Sequence, residues 1–221
     1  MEYNVQLIST LSMLMVITSF VAVEARNLRY ATQAYLAQAL LICSLLFAYS
    51  VANHALILWG ITALITKAIL TPVFLWGAIR YTGHQESRPI IGFGPSAVIA
   101  IIVMVTFYNL THHHGGFLSL IGGAEHHVIR MNLAAAFTVF AMGLYGILTR
   151  RDAIKTVIGL CLLENGVHLS LVSLAPTMKE TALAGIATEV VITVYLLLYI
   201  ISRIYEKFGS TDTFKLSELH W

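Results

Sequence analysis

The sequence predicts an all-α fold, a polytopic transmembrane helix bundle of about seven spans, with the N-terminus outside and the C-terminus cytoplasmic. Three observations carry that expectation. Of the 221 residues, 58% are hydrophobic and only 11% charged, and the mean hydropathy is +0.80, which lies outside the composition of soluble domains. Seven apolar runs reach the roughly 20 residues that a helix needs to cross ~30 Å of hydrocarbon. Lysine and arginine fall almost entirely on alternate sides of those runs.

The runs extend from Val5 to Val23, Ala31 to Val51, Ala55 to Ile79, Pro95 to Leu110, Ile129 to Leu148, Lys155 to Leu174 and Ala182 to Arg203. No Lys or Arg precedes the first run, so it reads as a span and not as a cleavable signal. The second and third are nearly continuous. They must part at Ala52-Asn53-His54, because a stretch of that length cannot cross once, and Asn and His suit a tight interfacial turn. With seven spans, one side holds Arg26, Arg29, Arg80, Arg88, Arg150, Arg151, Lys155, Arg203, Lys207 and Lys215, and the other only Arg130 and Lys179. This asymmetry sets the orientation by the positive-inside rule. The chain divides into a four-helix N-terminal region at 1–128, a three-helix unit at 129–205 and a short cytoplasmic tail at 206–221 lying against the membrane or a partner.

A formal net charge of +2 with its cations near span ends speaks to topology, and no nucleic-acid partner is expected. Cys43 and Cys161 both fall inside runs, forming neither a disulfide framework nor a paired metal motif.

Four ionisable residues lie inside the runs: Lys67, Glu164, His168 and Glu189. A charge at mid-membrane costs about 2.5 to 3.5 kcal/mol on the insertion scale, and its default reading is an ion or proton path facing protein or water. Glu164 and His168, four apart, share one helix face. Glu189 lies at middle depth in the next run, which should be an antiparallel neighbour across a short connection, so a water-borne relay between the two carboxylates is geometrically open. Lys67 precedes Pro72 by five positions, where loss of one backbone hydrogen bond should bend the helix. These four are the candidate proton pathway. A plainer role, a single ion pair that fixes packing, stands beside it for Lys67.

The outer loop THHHGGFLSLIGGAEHH offers His112, His113, His114, His126 and His127 as weak metal candidates. Their spacing matches no standard site, and a solvated loop explains them as well.

The block Arg150-Arg151-Asp152, Ile158-Gly159-Leu160 and Glu164-Asn165, followed by Ala187-Thr188-Glu189-Val190-Val191-Ile192, resembles the last two helices of the small K subunit of respiratory complex I. With extra helices in front, the whole chain resembles more closely the K-related component E of hydrogenase-4 and of related energy-converting hydrogenases or formate hydrogenlyases. One departure is visible. The family's first carboxylate directly follows the Ile-Gly-Leu triplet, where this chain has Cys161, and Glu164 comes one turn later.

The resemblance implies a non-catalytic membrane subunit of a complex I-like hydrogenase assembly that contributes buried carboxylates to redox-coupled proton or cation translocation. It implies no cofactor in this chain, with nickel-iron and iron-sulfur centres in partner subunits. The implied partners are antiporter-like and complex I H-like membrane subunits, peripheral hydrogenase subunits and the bilayer of a prokaryotic cytoplasmic membrane. The alternatives are a subunit of a multisubunit cation/proton antiporter, or a stand-alone carrier or metal-binding membrane protein. The antiporter family generally lacks the second carboxylate, so Glu189 favours the hydrogenase or complex I branch.

Overall fold

The computed structural model describes residues 5–51, 53–83, 91–113, 126–174 and 180–213. Their regular structure is helical: α1 (Val5–Glu24), α2 (Leu28–Ser50), α3 (Ala55–Ala63), a π-helical segment (Leu64–Leu70), α4 (Thr71–Thr82), α5 (Phe93–His113), α6 (His126–Thr149), α7 (Ala153–Leu174) and α8 (Glu180–Phe208). Among the described residues six helices are long and apolar enough to cross a membrane, with α3, the π segment and α4 acting as one continuous rod, Leu56–Thr82. The 29-residue α8 is the seventh long helix. The chain is thus a multi-pass membrane protein, as its composition requires.

Local chemistry sets the ends. The Asn27 side chain accepts from the Arg29 backbone N–H at 2.8 Å and starts α2, a standard use of Asn as an N-cap. Asp152 does the same for α7, accepting from the N–H groups of Ile154 (2.8 Å) and Lys155 (3.2 Å). Two helices stop on glycines in the left-handed region, α4 at Gly83 (φ +72) and α8 at Gly209 (φ +66), a conformation costly for residues with a Cβ.

Lipid offers no hydrophobic drive between helices, so close packing must hold the bundle. The α6–α7 pair is its most intimate contact. A Cβ on Gly143 would stand 2.5 Å from the Leu163 nitrogen, and one on Gly166 2.6 Å from the Phe140 nitrogen; only hydrogen fits at either crossing. α2 packs on α1, α3 and α7, and α8 lies chiefly along α3 and α4 with a smaller contact to α7. The expected α7–α8 adjacency is therefore present, but the third rod is α8's main support. α5 leans on α6 and on the end of α1 and leaves Val98, Ile101, Ile102 and Val105 exposed on its outer face, as a lipid-facing helix should.

One end of the bundle collects the charge. There the buried Glu24 carboxylate pairs with Arg150 at 2.5 Å and accepts from Ser96, whose hydroxyl also bonds Tyr145 at 2.6 Å. The Lys155 ammonium donates to the carbonyls of Ala22 and Val23, each at 3.1 Å, and to that of Ala25, closing the C-terminus of α1 with a cation as the helix dipole favours. At this same end the chain after α8 folds back. Thr211 donates its hydroxyl to Asp152 Oδ2 at 2.7 Å, Ala153 N–H bonds Thr211 O at 3.0 Å, and Thr213 N–H bonds Arg151 O at 2.8 Å. The first residues of the tail, expected to lie against the membrane or a partner, are thus clamped onto the α6–α7 turn of the chain itself. The end of α1 and the end of α8 thus lie at this same end of the bundle.

Candidate functional site: a lysine-glutamate pair beside a carboxylate-lined pocket

The site begins with the backbone of the third rod. Pro72 has no N–H to return to the preceding turn, and just before it the helix widens: the Thr71 N–H reaches the Thr66 carbonyl, five residues back. Thr71 adds its hydroxyl to the same carbonyl at 2.9 Å. Helical widening of this kind is concentrated at functional positions. It sets Lys67 in the middle of the π segment, and the sequence's expectation of a bend at Pro72 becomes this wider turn.

The Lys67 side chain is fully buried and points at α7. Its ammonium lies 2.8 Å from Glu164 Oε1, donates to Asn165 Oδ1 at 2.7 Å and sits 2.5 Å from His168 Nδ1. An ammonium has three donors and no acceptor, so His168 Nδ1 must be the accepting nitrogen. That leaves the ring proton on Nε2, which is 3.5 Å from Glu164 Oε1. The edge of His168 meets Trp59 with ring centroids 5.3 Å apart at 86°. Lys67 thus places its three donors on three α7 residues within about one turn, Glu164, Asn165 and His168, and His168 is a buried acceptor beside the pair.

The network extends sideways through amides. Asn165 donates to Gln38 Oε1 at 3.1 Å, and Gln38 donates to the Ser19 hydroxyl, which donates to Met15 O at 2.6 Å. A continuous polar line therefore joins α7, the π segment, α2 and α1 through the apolar core. Asn165 was visible in the sequence only as part of a family motif, and Gln38 and Ser19 were not singled out. An amide well inside an otherwise largely apolar run was the available signal for Gln38, since an amide in lipid needs a partner.

Glu164 faces two ways. Its side chain is 16% exposed, and it opens onto a pocket of about 250 Å³ between α7 and α8 lined by Cys161, Glu164, Val167, Glu189, Val190 and Thr193 among others. Glu189 is exposed toward this space and makes no direct contact with Lys67. Of the four residues expected on the path, three form one hydrogen-bonded cluster and the fourth shares a pocket with it. Cys161 and Glu164 occupy the same wall. The one-turn displacement of the acid relative to the family motif therefore leaves it in the same cavity.

His114 lies outside the described residues. His112 and His113 end α5 and His126 and His127 begin α6, but only their backbone is described, so the metal expectation for the outer loop falls outside what the structure addresses.

Fold and site define a multi-pass helical membrane protein with an intramembrane ion pair facing a pocket that Glu164 and Glu189 share. The chain belongs to the NADH-ubiquinone/plastoquinone oxidoreductase chain 4L family, whose model matches residues 131–221. It is 30% identical over 99 residues to the NAD(P)H-quinone oxidoreductase subunit 4L of Nostoc sp., an alignment covering 42% of this chain and 98% of that one. Over nearly its whole length it is similar to hydrogenase-4 component E of Escherichia coli (strain K12), 26% identical over 215 residues, 96% of this chain and 97% of the relative. An uncharacterized protein of Mycobacterium tuberculosis is 25% identical over 209 residues, 93% of this chain and 92% of the relative. No solved structure matches significantly. The resemblance read from the Glu164-Asn165 and Ala187 to Ile192 motifs is borne out by these matches.

Proposed function

We propose that this chain is a membrane subunit of a complex I-like hydrogenase assembly in a prokaryotic cytoplasmic membrane, where it forms part of a redox-coupled proton path. The observation that carries the reading is the Lys67–Glu164 pair at 2.8 Å, deep in the bundle and bordering a pocket shared with Glu189. A carboxylate that is both ion-paired and water-accessible can exchange a proton with the pocket while its charge state is felt by the lysine. When Glu164 is ionised it holds the ammonium; when it takes a proton, Lys67 keeps Asn165 and His168 and loses its counter-ion. Glu189, across the pocket, is the next proton-holding group in line.

The basic end of the bundle faces the cytoplasm in this reading, supported by the ten-to-two division of Lys and Arg. The N-terminus is then outside and the C-terminal clamp cytoplasmic. Redox chemistry at nickel-iron and iron-sulfur centres belongs to partner subunits. Antiporter-like and H-like membrane subunits would continue the path on either side. The similarity to hydrogenase-4 component E along 96% of the chain favours this assembly over a quinone-reducing one.

Purification of the tagged chain from its own membrane in mild detergent tests the assignment. Antiporter-like membrane subunits and a peripheral hydrogenase module are expected to co-purify; recovery of the chain alone, folded and monomeric, would remove the basis of the reading.

A further inference from the structure

We propose that a groove between the start of α2 and the end of α4 is a binding site for one anionic phospholipid, its phosphate held by Arg29 and Arg80. The groove, about 570 Å³, is lined by Arg29, Gln33, Val73, Trp76, Gly77 and Arg80, with Ile79 at its base. It lies on the outside of the bundle, away from the Lys67 cluster, and depends only on the chain's placement in a membrane.

The order of side chains along the two helices matches the polarity of a phospholipid. Arg29 stands in the first turn of α2 and Arg80 in the last turn of α4, so the two guanidinium groups share one depth at the basic end. Four residues inward on each helix come Gln33 and Trp76, one turn or ~6 Å deeper, where a glycerol backbone with its ester groups would sit and where Trp is favoured. Three residues beyond Trp76 is Val73, exposed at 54%, at the level of the acyl chains. Charge, amphipathic ring and amide, then hydrocarbon thus follow in sequence down one groove.

Charge complementarity selects the headgroup. Both arginines are exposed, and among the described residues neither guanidinium is in an ion pair, whereas Arg150 and Arg203 of the same chain each have a carboxylate partner. Planar guanidinium groups are suited to phosphate oxygens, and basic pockets between helices at the cytoplasmic face are suited to anionic headgroups. Gly77 keeps the groove open: a Cβ there would meet nothing within 4 Å. A larger side chain at this position fills the groove without disturbing the core.

The assembled protein, purified in mild detergent and exchanged into nanodiscs of phosphatidylethanolamine with graded phosphatidylglycerol, is analysed by native mass spectrometry for retained lipid. One phosphatidylglycerol per chain is expected, retained in preference to phosphatidylethanolamine. A near-surface arginine is worth about fivefold in attraction to anionic lipid, so Arg29→Gln with Arg80→Gln should weaken retention about thirtyfold. Gly77→Leu should expel the lipid with both arginines intact. Equal retention of the two lipids by the wild-type protein, undiminished retention in the double arginine variant, or crosslinking of a partner subunit into the groove in place of lipid would each overturn the proposal.

Discussion

Replacing Lys67 by methionine removes the cation and keeps most of the side chain's length, leaving Glu164 and Asn165 Oδ1 without their donor at 2.8 Å and 2.7 Å. Breaking a buried pair by deleting one partner costs about 3 to 5 kcal/mol, because the remaining charge is uncompensated. Glu164 is 16% exposed toward the pocket and can also take up a proton, which places the cost near the lower bound, about 3 kcal/mol. Glu164→Gln alone keeps an acceptor for the ammonium and should cost about 1 to 2 kcal/mol. If the two act as one unit, the double variant should cost about 2 kcal/mol, well below the sum, a coupling within the range of contacting residues. The assay is a detergent-titration unfolding series followed by the fluorescence of Trp59, whose ring meets His168. Strictly additive costs would refute the account of Lys67 and Glu164 as a functional pair.

Two further outcomes follow from the packing and from the basic end. Gly143→Leu and Gly166→Leu should each destabilise the bundle by about 3 kcal/mol or abolish accumulation, since each Cβ would lie under 3.0 Å from the facing backbone; Gly77→Ala, read by the same unfolding series, should be nearly neutral. Asp152 lies in the turn outside the spans, and burial pushes its carboxyl above the ordinary value against the opposing bonds from Thr211, Lys155 and Ile154. With the folded value raised, its contribution is complete below the unfolded carboxyl's titration and is lost as pH rises through the folded one. Asp152→Asn should therefore keep the cap and flatten the stability profile above the ordinary carboxyl range, whereas Asp152→Ala should cost about 1 to 2 kcal/mol through the lost cap and expose the C-terminal clamp to protease.

The spans were legible because a membrane helix is a local property of about 20 consecutive residues. Depth was legible too: Lys67, Glu164 and His168 stood out as ionisable groups where lipid tolerates few. Partnership was not. Lys67 and Asn165 are 98 positions apart, and nothing in either run states which helices touch. The same limit hid the Glu24–Arg150 pair, whose partners read separately as a span end and a loop arginine. Lys155 also read as an interfacial cation, when it is a buried cap on α1. Pro72 announced a perturbation but not its form, because whether a proline bends or widens a helix depends on neighbours such as Thr71 and on what the released lysine can reach. Gly143 and Gly166 were unremarkable in sequence, since glycine is common in membrane helices; their meaning comes only from the helix that presses on them.

Proton translocation coupled to hydrogen evolution, followed in inverted membrane vesicles carrying the assembled complex with Glu164→Gln, tests the central claim most directly. The account predicts that hydrogen evolution persists while the accompanying proton movement collapses, with Glu189→Gln giving the same uncoupling. A normally assembled Glu164→Gln complex that moves protons at the wild-type ratio would contradict it.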